Sequence, residues 1–204
     1  MSRRDDSKAE TRELILGAAQ SMFWEKGVDR CTIRDIAVEA GVSPATIIVH
    51  FRNKTALLEA SLHEDIEKAF SKAQATMPVE DGLYAVLLHM VSSMFSFYDR
   101  NRELYRILIR DTFYEPDHEN PTMLKMLHEK LQLIAILIEQ EKSKGTVRDD
   151  ADSFLAASSF FFLYIGVLGD LLRDPELSVA SATERFSAIL GQHLTGILIR
   201  GEGS

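Results

Sequence analysis

Residues 32–54 decide the fold, and they read TIRDIAVEAGVSPATIIVHFRNK. Thr32 and Asp35 have the spacing of a capping box, in which two side chains satisfy the first free backbone groups of a helix. Gly41 predicts the end of that helix, because glycine readily adopts the left-handed backbone found there. The first part of the stretch therefore predicts a short helix with defined ends.

A second short helix is predicted after only two further residues. Ser43 is an N-cap candidate, and Pro44 suits the first helical position because its missing N–H is not needed there. The helix can run only to about Phe51, since Asn53 is an N-cap candidate for a longer helix. Two short helices joined by a tight turn are typical of helix-turn-helix proteins, in which the second helix enters the major groove of DNA.

Eight side chains in this stretch are candidate DNA contacts. Thr46 can hydrogen-bond a base edge, and its methyl group, like that of Ala45, can touch a thymine methyl. Cations and hydroxyls near the helix starts can hold phosphates, helped by the partial positive charge of a helix N-terminus. For Thr32 and Ser43, capping is an equally good explanation. The candidates are Thr32, Arg34, Ser43, Pro44, Ala45, Thr46, His50 and Lys54.

The remainder of the chain predicts more helices. Apolar residues recur at helical spacing almost everywhere, which indicates an all-α fold with about nine helices. Ser7 with Glu10 and Ser181 with Glu184 are capping-box patterns for the first and last of them. The helix that follows Asp150 or Asp152 is apolar nearly all round, and we expect it to be covered on most sides.

Charge is distributed unevenly along the 204 residues, whose formal net charge is -8. Residues 1–55 hold 9 Lys/Arg and 8 Asp/Glu, whereas residues 56–204 hold 14 and 23. The total argues against a nonspecific nucleic-acid coat, but the acidity belongs to the rear of the chain. The front part remains free to bind DNA.

A family resemblance rests on two runs, LILGAAQSMFWEKG at 14–27 and IRDIAVEAGVSPATIIVHFRNKTALL at 33–58. They resemble the N-terminal DNA-binding domain of TetR-family transcriptional repressors. The match covers about residues 10–58, and the combination of IA, AGVS, T, HF and K at these spacings is specific. The resemblance implies a homodimer with a three-helix DNA-binding domain at 1–55. It also implies a ligand-binding and dimerisation domain at 56–204, and repression that a small inducer relieves.

The chain departs from the family pattern inside the second short helix. The aromatic residue that usually stands two positions before the HF pair is Ile48 here, and Val49 follows it. Phosphate contacts from these side chains are lost; whether the two make apolar base contacts instead stays open. We expect a salt-sensitive, modest affinity for the operator. Its sources are backbone amides, Arg34, His50, Lys54 and an N-terminal arm with Arg3, Arg4 and Lys8.

The last two helices predict a dimer. They carry more apolar surface than one small domain can hide, and a two-fold pair of such hairpins forms a four-helix interface. Such a dimer presents two reading helices, so the operator should be a palindrome of double-stranded DNA. The alternative is packing within the subunit only. The interface candidates are Phe161, Phe162, Ile165, Ile189, His193, Leu194 and Ile197.

The effector site is predicted from methionine and aromatic residues of the middle helices. Such side chains line adaptable apolar pockets, but they also fill ordinary cores. Together they favour a small hydrophobic or aromatic ligand over a sugar or nucleotide. The candidates are Met90, Met94, Tyr98, Tyr105, Phe113, Met123, Met126, Phe161 and Tyr164.

Catalytic and metal motifs are weak. The run His63–Glu67 lacks the second histidine of an HExxH zinc site, and no phosphate-binding glycine loop is present. We therefore expect no enzyme, no cofactor and no metal. The chief rival hypothesis is an all-α small-molecule carrier or enzyme with a vestigial helix-turn-helix, and the lost aromatic at position 48 is its best support. A second rival is a protein-interaction module built on the rear helices.

Location follows from two features of the sequence. No apolar signal segment precedes the charged run Arg3–Asp6, and the single cysteine, Cys31, cannot form an intrachain disulfide. The one candidate membrane segment, Ser153–Gly169, is at the short limit for a span and is interpreted as a buried helix. These features predict a cytoplasmic protein without a membrane partner.

Overall fold

The computed structural model describes the backbone of residues 3–114 and 121–197. Side chains are described for residues 5–113 and 125–197. Within these ranges the chain forms nine α-helices and two short 3-10 turns, which confirms the all-α prediction. The helices are α1 (Arg3–Lys26), α2 (Ile33–Glu39), α3 (Pro44–Phe51), α4 (Lys54–Ala75), α5 (Gly82–Tyr98), α6 (Arg102–Tyr114), α7 (Pro121–Ser143), α8 (Ser153–Arg173) and α9 (Val179–Thr195).

The chain divides into two compact units. The first comprises Met1–Lys68 and Glu103–Asn120, and the second comprises Ala69–Arg102 and Pro121–Ser204. The first unit is thus larger than the predicted 1–55 domain, because it includes most of α4 and of α6. The division of functions at residue 55 stays a prediction.

The helix ends around the tight turn form as the sequence predicts. Thr32 and Asp35 make the reciprocal capping box at the start of α2, and Gly41 has a φ of 68° just after its end. The Ser43 hydroxyl accepts a hydrogen bond from the backbone N–H of Thr46 at 3.1 Å. These local bonds fix the spacing between α2 and α3.

Two further caps are confirmed. The Asn53 side-chain oxygen accepts from the Ala56 N–H at 2.7 Å, which caps α4. At the start of α8, Asp152 accepts from the Leu155 N–H at 2.9 Å, so Asp152 and not Asp150 is the cap.

The capping-box predictions at the two ends of the chain are wrong. Helix α1 already begins at Arg3, so Ser7 lies in its interior and its carbonyl accepts from the Thr11 hydroxyl at 2.8 Å. Helix α9 begins three residues earlier than predicted, because Ser178 accepts from the Ser181 N–H at 3.1 Å. In each case an upstream residue starts the helix first.

Arg52, between α3 and α4, has a strained backbone. It is the one described non-glycine residue with positive φ, at 65° with ψ of -52°. The Asn53 N–H donates to the Phe51 carbonyl at 2.7 Å across it, which closes a γ-turn. That conformation is rare and unfavourable for a residue with a Cβ atom.

We expect Arg52→Gly to stabilise the protein by about 1 kcal/mol, because glycine adopts positive φ without steric cost. Arg52→Ala is the matched control, since it removes the guanidinium but keeps the Cβ atom. Urea unfolding of the three proteins measures the effect. Equal stability of the Gly and Ala variants would show that the turn is not strained.

An aromatic cluster joins three helices of the second unit. Phe186 of α9 meets Phe95 of α5 edge-on at 6.2 Å and Phe160 of α8 edge-on at 5.7 Å. The Arg102 guanidinium donates to the backbone carbonyls of Asp174 at 2.6 Å and Leu177 at 2.8 Å. The loop before α9 is therefore held against Arg102, the residue that begins α6.

Helix α8 is less covered than the sequence predicts. Among the described helices it alone has the length and hydropathy of a membrane span, and 39% of that stretch is buried within the chain. Its contacts with α5, α7 and α9 are those of a core helix. Leu155 and Phe162 nevertheless remain 64% and 72% exposed. A single chain leaves one apolar face of α8 open.

Candidate functional site

Helix α3 presents an uncharged face to solvent. Ile47 and Phe51 are buried and anchor the helix in the first unit, while Pro44 and Ala45 are exposed at its leading end. Small exposed side chains at this end allow close approach to a base edge. The predicted reading end is therefore accessible.

The hydroxyl groups near this end are already engaged within the protein. The Thr32 hydroxyl donates to an Asp35 carboxylate oxygen at 2.7 Å and accepts from the Asp35 N–H at 3.1 Å. The hydroxyl bond, together with the Thr32 backbone N–H that donates to the same carboxylate at 3.0 Å, lowers the pKa of the Asp35 carboxyl. Thr32 acts as a helix cap, which is one of its two predicted roles, and its contact with DNA stays a prediction.

Ser43 and Thr46 form a second hydroxyl pair, with 2.8 Å between their oxygens. Since Ser43 also accepts from the Thr46 N–H, its oxygen serves mainly as a cap. The Thr46 hydroxyl has one local partner and retains capacity for a second. Of the two, Thr46 is thus the better placed for base readout.

The cationic candidates lie on α3 and on the helices before and after it. Arg34 is exposed on α2, and Lys54 is the first residue of α4 and half-buried. His50 is half-buried, with its ring 6.0 Å from that of Phe51. These three side chains belong to three different helices of the first unit.

Ile48 and Val49 are prominent on the same helix, at 46% and 78% exposed. Neither is needed for the core of the chain, so they are available to a partner. Their apolar side chains match thymine methyl groups, and they cannot bind phosphates. The sequence left their role open because periodicity alone does not show which side of so short a helix faces solvent.

One set of effector candidates comes together in the second unit. Tyr98 of α5 is hydrogen-bonded to Tyr164 of α8. The Tyr164 ring stacks on Phe95 at 5.8 Å and lies 6.2 Å from Phe161. Two phenol groups within an apolar aromatic cluster are suited to orienting the polar end of a hydrophobic ligand.

Burial keeps this tyrosine pair neutral. Desolvation raises the pKa of Tyr98 from its usual 10 to about 12, although the hydrogen bond with Tyr164 opposes the shift. The pKa of Tyr164 is also raised, first by desolvation and then by Tyr98. A raised pKa means that the folded protein disfavours the phenolate.

We expect stability to fall as the pH rises from about 10 to 12, because unfolded Tyr98 ionises before the folded residue does. A shift of this size corresponds to about 3 kcal/mol. The unfolding free energy of Tyr98→Phe should depend less on pH over this window. Tyr84→Phe, which alters a more exposed phenol, should show the same pH dependence as the parent chain. Chemical unfolding at a series of pH values measures the slopes. Parallel curves for Tyr98→Phe and the parent would contradict the assignment.

The remaining effector candidates are scattered. Met90 and Met94 are buried in α5, and Met126 is half-buried in α7. Tyr105 is 1% exposed and belongs with Phe113 to the first unit, so the predicted single cluster is not formed by these two. The side chain of Met123 lies outside the described residues.

The interface candidates differ in exposure. Phe162 is exposed, whereas Phe161, Ile165, Ile189, His193 and Ile197 are half-buried. Leu194 is 2% exposed and packs in the core of its own chain, so it offers almost no surface to a second chain. The helical spacing of α9 predicted its apolar side correctly but did not show that the unit's own core covers this residue.

Two glycines that the prediction omitted lie on the exposed side of these helices. Gly166 of α8 and Gly191 of α9 are exposed, and a Cβ atom added at either position would meet nothing within 4 Å. The fold of the single chain therefore does not require glycine there. A glycine in a helix interior lets another backbone approach closely.

No group of three His, Cys, Asp or Glu side chains in the part of the chain that the structure describes is arranged to hold a metal ion. The His63–Glu67 run lies within α4. Burial raises the pKa of Cys31, whose thiol donates to the Met22 carbonyl at 3.3 Å.

Comparisons with known proteins agree with this geometry. Residues 15–61 match the family described as bacterial regulatory proteins, tetR family. The transcriptional regulator UidR of Escherichia coli K12 is 29% identical over 191 residues, which are 91% of this chain and 93% of UidR.

Two solved structures also match nearly the whole chain. One is NalD, the secondary repressor of the MexAB-OprM multidrug efflux pump in Pseudomonas aeruginosa, at 25% identity and a TM-score of 0.61, covering 97% of this chain and 100% of NalD. The other is the SmeT complex with triclosan, at 25% identity and a TM-score of 0.63, covering 96% of this chain and 95% of SmeT. Residues 15–61 therefore carry a DNA-binding domain of the tetR family of bacterial regulatory proteins, and the all-α fold of the chain is similar to that of these transcriptional regulators.

Proposed function

We propose that this regulator is a dimeric repressor that leaves a palindromic operator when a small hydrophobic ligand binds to its second unit. The observation that carries the proposal is the exposed, uncharged leading end of α3, with cations on the helices before and after it. Mobility shift with the DNA upstream of its own gene tests it. We expect the protein to act in the cytoplasm.

DNA binding divides between two sets of side chains in this proposal. Arg34, His50 and Lys54 position the domain on phosphates and supply most of the affinity. Ala45 and Thr46 read base edges, and Ile48 and Val49 extend an apolar contact along the groove. Ser43 as the N-cap and Pro44 as the first helical residue together determine where α3 begins.

Substitutions at Thr46 and Lys54 separate readout from positioning. Thr46→Val keeps the methyl group and loses the hydroxyl, so it should relax base preference at one position by about 1–3 kcal/mol. Lys54→Ala should weaken binding to all sequences alike and reduce the slope of log affinity against log salt by about one. Lys72→Ala, at the other end of α4, is the charge control. Fluorescence anisotropy with the operator and single-base variants measures both; identical profiles for the two variants would refute the division of roles.

Dimerisation is proposed through the exposed sides of α8 and α9. Phe162 supplies an apolar anchor, while Gly166 and Gly191 let the helices of a second copy approach closely. A single chain leaves this surface in water, and the net apolar area favours its burial. The two-fold axis then presents two copies of α3 to one duplex.

The ligand is proposed to bind among the aromatic and methionine side chains of the second unit. Met90, Met94 and Phe161 supply apolar surface, and Tyr98 and Tyr164 supply phenol groups. The SmeT relative forms a complex with triclosan, which supports a hydrophobic phenolic class of ligand. Tyr105 and Phe113 are left out of this site.

Repression with release by ligand is proposed on the NalD likeness, since NalD is described as a repressor. A ligand changes DNA affinity only if it binds one conformation of the dimer more tightly than another. Helix α4 has residues in both compact units and is the proposed connection. A ligand that bound tightly and left operator affinity unchanged would contradict the mechanism.

A further inference from the structure

A surface groove of about 690 Å³ lies between α1 and the end of α2, within the first unit. Its rim carries the carboxylates of Glu10, Glu13 and Glu39, and no Lys or Arg among the side chains that the structure describes lines it. Leu14 and Gly17 lie between the carboxylates. The first unit therefore collects acidic groups at a groove that no residue of α3 lines.

Leu14 lines the groove, and two further exposed apolar side chains lie on α1 and α2 outside its lining. Leu14 is 56% exposed, and Trp24, three turns further along α1, is 38% exposed. The spacing from Leu14 through Gly17 and Ser21 to Trp24 places these residues on one face of the helix. Val38, beside Glu39 at the end of α2, is 78% exposed. Leu14 thus places an exposed apolar side chain among the carboxylates of the groove.

Gly17 lines the groove and places no side chain in it. It lies in the middle of α1, where glycine is unfavourable relative to alanine, and an added Cβ atom would meet nothing within 4 Å. Packing inside the chain therefore gives no reason for a glycine at this position. Its absence of a side chain leaves room for a group from outside.

The charge of the rim indicates the kind of partner. Glu10 and Glu39 have no ion-pair partner among the described residues, and Glu13 has only its neighbour Arg12, at 3.6 Å. Carboxylates repel DNA phosphates and attract Lys or Arg side chains. The groove is complementary to a basic ligand and unsuited to the duplex.

We propose that this groove docks an amphipathic helical segment of a partner protein in which Lys or Arg side chains flank an apolar stripe. The stripe packs on Leu14 and over Gly17, as in other helix-in-groove complexes, and the cations meet the three glutamates. No residue of α3 lines the groove, and on this proposal the regulator holds the partner and its operator together. The interaction is separate from the proposed ligand response.

The test uses the full chain and a defined probe. The probe is an 18-residue amphipathic helical peptide made of Leu and Lys, and its counterpart has Glu in place of every Lys. Trp24 is the only tryptophan of the chain and reports binding by its emission. We expect a saturable change with the Leu/Lys peptide and none with the Leu/Glu peptide.

Variants of the groove show where the peptide binds. Gly17→Leu fills the floor, and Glu13→Gln with Glu39→Gln removes two charges; each should weaken peptide binding about tenfold or more. Operator affinity and the circular dichroism spectrum should be unchanged. Glu176→Gln with Glu184→Gln, at exposed sites of the second unit, is the matched charge control and should bind the peptide like the parent chain.

Four results would each overturn the proposal. They are equal peptide binding by Gly17→Leu, equal binding of the Leu/Glu peptide, loss of operator affinity in the Glu13→Gln with Glu39→Gln variant, and association of the parent chain beyond a dimer that Gly17→Leu abolishes. The last result would assign the groove to a second copy of this chain instead.

Discussion

Phe162→Glu should convert the protein from a dimer to a monomer. Phe162 is 72% exposed in the single chain, so its replacement should change the folding of that chain by less than about 0.5 kcal/mol. In a two-fold interface the same substitution occurs twice and places two carboxylates in an apolar contact. Buried aromatic anchors contribute about 2–4 kcal/mol each, which predicts a rise in the dimer dissociation constant of at least about a thousandfold.

Operator affinity should fall when dimerisation is lost, because a monomer binds one half-site and lacks the linked second contact. Light scattering coupled to size exclusion measures the oligomeric state, and anisotropy measures DNA binding. Val79→Glu is the matched control, since Val79 is 53% exposed in the turn before α5. A Phe162→Glu protein that stayed dimeric would rule out the proposed face.

Ala45→Phe should abolish specific DNA binding while leaving the fold intact. Ala45 is exposed at the leading end of α3, so the larger side chain has room in the free protein. Against a duplex it would hold α3 away from the base edges. Specific sites are bound at least about a thousandfold more tightly than nonspecific DNA, and the variant should lose that difference.

Phosphate contacts should survive the same substitution, because Arg34 and Lys54 are on other helices. Weak, salt-sensitive binding to any sequence should therefore remain. Ala45→Ser preserves the size and is the control, with affinity expected within a few-fold of the parent chain. Anisotropy with operator and scrambled duplexes compares the three proteins. If Ala45→Phe still preferred the operator, α3 would not be the reading helix.

The elements that sequence predicts well are those determined by nearby residues. The caps at Thr32, Ser43, Asn53 and Asp152 each join a side chain to a backbone N–H three residues later, so the pattern contains both partners. The same reasoning fails for Ser181, because Ser178 offers an equivalent hydroxyl upstream and the helix begins there. A local pattern does not rank two adjacent caps.

The effector and interface residues depend on contacts between distant parts of the chain. Helical periodicity places Tyr105 on an apolar face but does not show that α6, after Arg102, belongs with the DNA-binding unit. It likewise places Leu194 among the apolar residues of α9 without showing that its own unit covers it. Gly166 and Gly191 do not contribute to an apolar pattern, so the sequence does not identify them as interface residues. Only the open space around them in the structure does so.

The central claim is that two copies of α3 in one dimer read a single palindromic operator. Light scattering of the protein mixed with the DNA upstream of its own gene, at physiological salt, tests this most directly. We predict a complex of two chains per duplex that requires two half-sites with centres about 10 base pairs apart, or a multiple of that spacing. A complex of one chain per duplex, or equal binding to a duplex with one half-site scrambled, would contradict the claim.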